Sequence, residues 1–223
     1  MSGDDERLGG MRVAYTGTQI DPATVPEDPA DLFRVWLAEA EAGAVAEPNA
    51  MVLATTGPGS RPHARTVLLK GLPADDRGGT GLLLFTNLES AKAGDLAQES
   101  AGAVVFGWHA ISRQVRVEGT VREAPTAVSD AYFASRPRES QLGAWASQQS
   151  REIESRAALD ARYEQMERRF EGGAVERPPF WGGLVLHPDR WEFWVGHRGR
   201  LHDRVLYVAA DEPPGWRRTR LQP

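Results

Sequence analysis

A cation stands at each end of a short apolar segment, RTVLLK, at residues 65–70. In a β-strand alternate side chains point to opposite faces, so Arg65, Val67 and Leu69 share one face and Lys70 lies on the other. Both faces are mostly apolar, so the two charged ends need partners that the middle of the segment does not supply. A bound anion would satisfy both charges. A buried strand whose charged ends simply reach water explains this segment equally well.

The use of lysine in this chain points to the same chemistry. Of the 26 basic residues only Lys70 and Lys92 are lysines, which leaves 24 arginines. An ammonium group is compact and flexible, whereas a guanidinium is a planar fork. A lysine kept at only two positions therefore indicates sites that need a small cation, although chance could also place two lysines.

A phosphate site is predicted around Lys92, which follows the segment 87–90 at the start of a short predicted helix. The positive end of the helix dipole disfavours a cation in the first turn, so a lysine there calls for an anion nearby. Thr86, Ser90, Lys92 and the free backbone N–H groups together could bind a phosphate. The alternative is that Ser90 only caps the helix and that Lys92 is solvated.

A second cluster lies at residues 132–140, where a phenol, two guanidiniums and a hydroxyl fall within nine residues. The polar residues at element ends then divide into two anion-binding groups. One is Arg65, Thr86, Ser90 and Lys92, and the other is Lys70, Tyr132, Arg136 and Ser140. Two groups predict two phosphorylated ligands. Because the chain has no GxxxxGK(S/T) motif, a phosphorylated cofactor beside a phosphorylated small substrate fits better than a nucleotide hydrolase.

Composition excludes several other classes of function. The 223 residues suffice for one large domain or two small ones, and a net charge of -5 leaves no basic surface for nucleic acid. No apolar run approaches the roughly 20 residues that span a bilayer, and the acidic first ten residues lack the apolar core of a signal peptide, so we expect a cytoplasmic protein. The chain has no cysteine, and its five histidines form no HxH or HxxxH pair, so we expect no metal site.

Hydrophobic periodicity predicts helices and strands in a fixed order. The predicted helices are Asp31–Ala42, Ser90–Glu99, Thr126–Ser135 and Arg151–Phe170. The predicted strands are Ala50–Thr56, His63–Leu72, Gly81–Thr86, Ala103–Trp108, Gln114–Arg122, Gly183–His187, Trp191–Val195, Val205–Ala209 and Trp216–Leu221. We interpret Gln141–Ser150 as a polar loop, residues 1–10 as disordered and residues 11–29 as an extended arm.

The predicted fold is α+β. Adjacent strands with short turns favour an antiparallel sheet, and so many strands need their edges covered, which favours closure into a barrel. The predicted organisation is an N-terminal arm over residues 1–29, partly disordered, and a single domain over residues 30–223.

The sequence resembles the pyridoxine/pyridoxamine 5′-phosphate oxidase family, the FMN-dependent split-barrel flavoproteins. The resemblance runs from about residue 30 to the last residue, and the motifs stand in the order of the family. They are RTVLLK (65–70), FTNLESAKA (85–93), RQVRVEG (113–119), YFASRPRESQLGAWASQQS (132–150), FWGG (180–183), EFWVG (192–196), RLHDR (200–204) and RLQP (220–223).

The resemblance implies a homodimer with FMN at the subunit interface, and it implies the site residues. FMN would contact Arg65, Thr66, Val67, Leu68, Leu69, Lys70, Phe85, Thr86, Ala91, Lys92, Gln114, Gln149, Ser150, Trp194 and Arg204. The substrate would contact Arg12, Tyr15, Lys70, Tyr132, Arg136, Ser140, Arg200, Leu201 and His202. Among these, Arg200 and His202 would be the catalytic residues that cover the pyridine ring and its phenolic oxygen.

The implied reaction is the oxidation of pyridoxamine or pyridoxine 5′-phosphate to pyridoxal 5′-phosphate, with O2 reduced to H2O2, in vitamin B6 metabolism. The chain departs from the family at Ala91, where a basic residue is usual, and at Val195, where glutamine is common. His202 could donate a hydrogen bond to the phenolic oxygen or accept a proton.

Other interpretations remain open at this stage. A related split-barrel oxidase could act on another ring, as in phenazine biosynthesis, and a non-catalytic protein of this fold could bind a flavin or deazaflavin. Single residues also have structural explanations. Trp194 could belong to the core, Gln114 could be a strand surface residue, and Arg204 could pair with Asp203 or Glu192.

Overall fold

The computed structural model describes residues 3–11, 14–43, 45–75, 78–212 and 215–223. The helices in these ranges are α1 (Gly3–Gly10), α2 (Pro29–Ala42), α3 (Ala91–Gln98), α4 (Thr126–Ser135), α5 (Arg138–Ala146) and α6 (Arg156–Arg169). The strands are β1 (Ala50–Gly57), β2 (Arg61–Leu68), β3 (Leu82–Asn87), β4 (Ala101–Trp108), β5 (Arg113–Glu123), β6 (Trp181–Val195), β7 (Asp203–Ala209) and β8 (Trp216–Leu221). No helix among the described residues is both long enough and apolar enough to cross a membrane.

The strands hydrogen-bond in the order β2-β1-β4-β5-β6-β7-β8, and β3 pairs with β6. The pairings β1–β2, β1–β4, β3–β6, β6–β7 and β7–β8 are antiparallel. In this register Arg65 faces Leu53 and Phe85 faces Gly183. The combination of helices with an antiparallel sheet confirms the predicted α+β class.

The chain divides into two compact units. The first unit comprises Met1–Pro48, Phe106–Arg116 and Arg190–Pro223, and the second comprises Asn49–Val105 and Val117–Asp189. Strands β4, β5 and β6 contribute residues to both. The sequence-based division into an arm over 1–29 and one domain over 30–223 stays a prediction.

Helix α2 forms the core of the first unit. Asp28 caps it by accepting a hydrogen bond from the Ala30 N–H, and Pro29 occupies the first turn, where its missing N–H costs nothing. The predicted start at Asp31 is therefore two residues late. Phe33 lies on the buried face of α2, and the centre of the Phe33 ring is 5.0 Å from that of Phe106. An aromatic pair at this distance adds a favourable ring–ring interaction to the burial of apolar surface.

A second aromatic core lies in the second unit. It consists of Phe133, Leu142, Phe170, Val175 and Trp181. Helix α5 extends to Ala146 and contributes Leu142 to this core. Residues 141–146 are therefore helical, and the polar loop predicted there is wrong. The prediction was wrong because the buried face of α5 is only two turns long and is surrounded by polar residues.

Three further boundaries differ from the prediction. Helix α6 begins at Arg156, because the Ser155 side chain accepts a hydrogen bond from Ala158 N–H and caps the helix there. Residues 3–10 form helix α1 where disorder was predicted. Strand β2 ends at Leu68, four residues early, because the Lys70 N–H pairs with the Leu83 carbonyl oxygen.

Strand β6 is continuous where two strands were predicted, at Gly183–His187 and Trp191–Val195. The apparent break was Pro188, which has no N–H to donate. The neighbouring strand accommodates this stretch because residue 119 is glycine: a Cβ atom there would lie 2.0 Å from the His187 carbonyl oxygen.

Candidate functional site

A cavity of about 490 Å³ lies in the second unit. It collects most of the residues that the sequence assigned to the two anion-binding groups. The predicted residues that line it are Thr66, Val67, Leu68, Lys70, Phe85, Thr86, Lys92, Tyr132, Arg136, Ser140 and Gln149. Residues that the sequence analysis missed also line it, namely Asn87, Gly143, Ala144, Ser147 and Trp181. The two groups therefore share one cavity.

Strands and helix ends aim these side chains into the cavity. Lys70 leaves the end of β2 and is fixed by the backbone hydrogen bond from its N–H to the Leu83 carbonyl oxygen, 2.8 Å. The alternation predicted for residues 65–70 places Thr66, Leu68 and Lys70 at the cavity. Val67 lines it as well, which the alternation did not predict.

Lys92 is the buried cation of this cavity. Its Nζ donates hydrogen bonds to Thr86 Oγ1 at 2.9 Å, to Ser90 Oγ at 3.1 Å and to Gln149 Oε1 at 2.6 Å, all of them neutral oxygens. Burial, and then the positive charge of Arg65, lower the pKa of Lys92 to about 8. The solvated lysine considered above is therefore wrong. Ser90 is the N-cap residue of α3, but its side chain makes no capping hydrogen bond.

Arg136 shows that the cavity suits an anion. Its guanidinium lies 4.9 Å from the centre of the Trp181 ring, and its Nη1 is buried with no hydrogen-bond partner among the described residues. Burial lowers the pKa of this guanidinium. A buried donor left without a partner costs about 1–3 kcal/mol, so a phosphate oxygen that accepts from Nη1 would recover this energy.

An aromatic stack forms one wall of the cavity. The rings of Phe85 and Tyr132 are parallel with centroids 4.0 Å apart, and the rings of Phe85 and Trp181 are parallel at 5.2 Å. Trp181 in turn contacts the Arg136 guanidinium. The wall thus offers apolar surface beside a cation, as a ligand with a ring and a phosphate requires.

The remaining predicted residues of the second unit lie around this cavity without lining it. Arg65 donates from Nη1 to the Leu53 carbonyl oxygen at 3.1 Å and to Thr55 Oγ1 at 2.8 Å. Leu69 is buried in the core. The Ala91 N–H donates to Ser150 Oγ at 3.2 Å, so the exposed side chain of Ser150 is held against the start of α3.

In the first unit, His202 lies in an aromatic cluster. Its ring centroid is 4.7 Å from that of Trp194 and 5.6 Å from that of Tyr15. Its Nδ1 accepts a hydrogen bond from the His197 N–H at 3.1 Å. Burial and the charges of Arg200 and His197 lower its pKa, which favours the neutral ring. Because Nδ1 accepts a hydrogen bond, the proton of the neutral ring is on Nε2.

The neighbours of His202 are less enclosed. Arg200 is exposed and adopts a φ of 61°, a left-handed conformation that few non-glycine residues adopt. Leu201 is exposed too. Arg12, predicted to contact the substrate, lies outside the described residues.

Arg204, predicted to contact FMN, pairs with a carboxylate. Its Nε donates to Glu192 Oε1 at 2.8 Å, and Arg116 Nη2 lies 2.8 Å from Glu192 Oε2. Glu192 is 4% exposed, and its hydrogen bond and charge raise the pKa of Arg204. The pairing of Arg204 with Glu192 that we considered is thus present. Gln114 is half-buried in β5, and its predicted role stays a prediction.

Known proteins and family models match most of this chain. A model of the pyridoxamine 5′-phosphate oxidase family matches residues 37–170, and a model of the pyridoxine 5′-phosphate oxidase C-terminal dimerisation region matches residues 181–223. A pyridoxine/pyridoxamine 5′-phosphate oxidase of Rubrobacter xylanophilus is 51% identical over 216 residues, which are 97% of this chain and 96% of the relative.

Solved structures show the same fold. PhzG from Burkholderia lata, in complex with tetrahydrophenazine-1-carboxylic acid, aligns with a TM-score of 0.84 and 28% identity over 95% of this chain and 100% of its own. A pyridoxamine 5′-phosphate oxidase-related, FMN-binding protein from Nostoc punctiforme aligns with a TM-score of 0.67 and 20% identity over 86% and 97%. The predicted split-barrel fold is confirmed.

These matches cover nearly the whole chain. The chain therefore belongs to the pyridoxamine 5′-phosphate oxidase family.

Proposed function

We propose that this protein is an FMN-dependent oxidase that converts pyridoxamine or pyridoxine 5′-phosphate to pyridoxal 5′-phosphate, with O2 reduced to H2O2. The observation that carries the proposal is the cavity of the second unit. Within the described part of the chain, its buried lysine donates hydrogen bonds to three neutral oxygens and Nη1 of one guanidinium has no partner. An aromatic stack forms one wall. A cationic, partly aromatic cavity of this kind fits phosphorylated ring compounds.

Lys92, Thr86, Gln149 and the segment 66–68 would hold FMN, as the family resemblance implies. When bound, FMN supplies the electron acceptor for the oxidation. The side chains have a separate task. Lys92 places a positive charge at a buried position, where water screens its attraction for a phosphate only weakly.

Lys70, Tyr132, Arg136 and Ser140 would hold the phosphate of the substrate. That phosphate is remote from the carbon that is oxidised, so binding energy gained on it can fix the orientation of the ring. Arg136 suits this role because a guanidinium can bind two phosphate oxygens at once.

His202 would donate, not accept, a hydrogen bond to the phenolic oxygen of the substrate. Its Nδ1 is already occupied by the His197 N–H, so the neutral ring offers only the Nε2 proton to a ligand. The lowered pKa keeps the ring neutral at physiological pH. Arg200 would cover the pyridine ring of the substrate beside His202. We also propose that the active form is a homodimer, in line with the match to the family dimerisation region.

A second candidate function is the oxidation of a phenazine precursor, which the similarity to PhzG favours. The two candidates differ in their need for a substrate phosphate. Arg136 and Lys70 line the cavity together, and a carboxylic acid of a phenazine would require only one cation.

The test is an anaerobic titration of the purified protein followed by absorbance. We expect the oxidised flavin spectrum, its bleaching by pyridoxamine 5′-phosphate, and its recovery in air with release of H2O2. Tetrahydrophenazine-1-carboxylic acid serves as the competing reductant. Bleaching by this compound alone would favour the second candidate, and a flavin that neither reductant bleaches would contradict both.

A further inference from the structure

A buried carboxylate, Asp95, lies on the same helix as Lys92, next to the first predicted anion-binding group. Asp95 of α3 is 4% exposed, and its Oδ2 accepts a hydrogen bond from Thr55 Oγ1 at 2.7 Å and lies 2.9 Å from His63 Nδ1. Arg65 Nη2 lies 3.6 Å from the same oxygen. Burial alone would raise the pKa of Asp95, but these hydrogen bonds and the charges of His63 and Arg65 outweigh it and lower the pKa. Asp95 is therefore ionised.

The Thr55 hydroxyl links Asp95 to Arg65. It donates to the carboxylate and accepts from Arg65 Nη1 at 2.8 Å. The carbonyl oxygens of Leu53 and His63 also accept from Nη1, at 3.1 and 3.4 Å, so the two protons of Nη1 are both used. Among the described residues no hydrogen bond is made by Nε or Nη2, so that edge of the guanidinium is the part available to a ligand.

The positive charge of Arg65 affects the ionisation of Lys92. The positive charge of Arg65 is one cause of the lowered pKa of Lys92, so the two cations are close enough to repel each other. Lys92 lines the cavity, and Asp95 lies one helical turn from it on α3. Two positive charges at close range in a partly buried site repel each other. A bound anion or a neighbouring carboxylate offsets this repulsion.

We propose that Thr55 and Asp95 are positioning residues that hold Arg65 ready for the phosphate of the bound flavin, an inference that rests on the proposed FMN site. Thr55 fixes Nη1 and Asp95 attracts Nη2, so the long side chain of Arg65 is ordered before the ligand arrives. Binding then orders fewer side-chain torsions, and the affinity for the phosphate is higher.

The test compares FMN with riboflavin, which lacks the phosphate, in binding to the flavin-free full-length protein by fluorescence quenching. Thr55→Val has nearly the same shape as the native residue and removes only the hydroxyl. We expect it to raise the Kd for FMN about tenfold and to leave the Kd for riboflavin unchanged. Thr55→Ser keeps the hydroxyl and should restore the affinity for FMN.

Asp95→Asn tests the carboxylate separately, with circular dichroism and thermal melting to verify that each variant is folded. We expect this variant also to lose affinity for FMN and not for riboflavin. An equal loss for both flavins would overturn the inference and make the cluster a purely structural one. Tighter binding of FMN by Asp95→Asn would also overturn it, because the carboxylate would then act only by its repulsion of phosphate.

The wild-type protein separates this inference from the proposed function. A wild type that binds neither flavin would contradict the proposed FMN site itself. A wild type that prefers FMN to riboflavin, with the same preference in Thr55→Val and Asp95→Asn, would overturn only the positioning role.

Discussion

Lys92 and Arg136 of the second unit differ from Arg204 and Arg220 of the first unit in what balances their charges. In the second unit Lys92 has three neutral oxygens as partners, and Arg136 has an Nη1 without a partner among the described residues. In the first unit, Arg116 and Arg204 share the buried carboxylate of Glu192. Arg220 likewise pairs with Asp21 and Asp203.

This difference separates ligand sites from structural ion pairs. A buried cation without a counter-ion costs free energy until an anion binds, so its position is kept for binding. A cation that donates a hydrogen bond directly to a buried carboxylate, as Arg204 does to Glu192, adds little attraction for a further anion. Arg65 differs, because its Nη2 is 3.6 Å from Asp95 Oδ2, beyond hydrogen-bond distance. The phosphates are thus expected in the second unit, and the Arg204 pair is expected to stabilise the first.

The largest effect is expected for Glu192→Gln. This change leaves Arg116 and Arg204 without their shared negative charge, and breaking a buried ion pair costs about 3 kcal/mol. Urea unfolding of the variant measures the free energy of unfolding, with Glu164→Gln as a control because its pair with Arg168 is exposed. If Glu192→Gln kept full stability and instead lost FMN, the comparison between the units would be wrong.

Arg136→Ala is expected to act on the substrate. The loss of a charge-assisted hydrogen bond to a phosphate costs about 2–3 kcal/mol, which is roughly a hundredfold in kcat/KM. Steady-state kinetics with pyridoxamine 5′-phosphate measures it, and Arg168→Ala on exposed helix α6 is the matched control. Lys70→Ala should raise KM in the same direction. Arg136→Ala should not alter the affinity for FMN, and Lys70→Ala, which the resemblance also places against FMN, should affect KM more than FMN binding. An equal effect of both variants on both ligands would contradict the division into two phosphate groups.

Lys92→Met is expected to weaken FMN binding about tenfold and to remove its pH dependence. A bound phosphate favours the charged lysine, so in the wild type the affinity is complete below the pKa of about 8 and falls as the pH rises through it. Fluorescence titration of FMN between pH 6 and pH 10 measures both effects. A wild-type affinity that increased with pH would contradict the assignment of Lys92.

The smallest effect is expected for His202→Gln. If His202 only donates from Nε2, glutamine can replace that donor, and kcat should fall by less than about threefold. His202→Leu has no donor and should lose about tenfold. The reverse order, with glutamine as damaging as leucine, would indicate that the ring accepts a proton.

Much of the fold was predictable because it depends on local patterns. The alternation of Gln114–Arg122 identified β5, and the helix predicted over Thr126–Ser135 has the bounds of α4. Helix α5 was not predictable, because its two buried apolar residues, Leu142 and Ala146, make too short a stripe. Its burial depends on Phe133 and Phe170, which lie at other places in the chain.

By itself the sequence determined the types of side chain that the site uses, the strands and helix ends that carry them, and the family, because motif spacing and hydrophobic periodicity are local properties. Tertiary structure alone decided that both predicted phosphate groups share one cavity and that Lys92 is buried. It also decided that Arg65 rests on Thr55 and Asp95, and that Arg204 is already paired with Glu192. The physical reason is that the charge balance of a buried side chain depends on neighbours from distant segments, which only folding brings within hydrogen-bond distance.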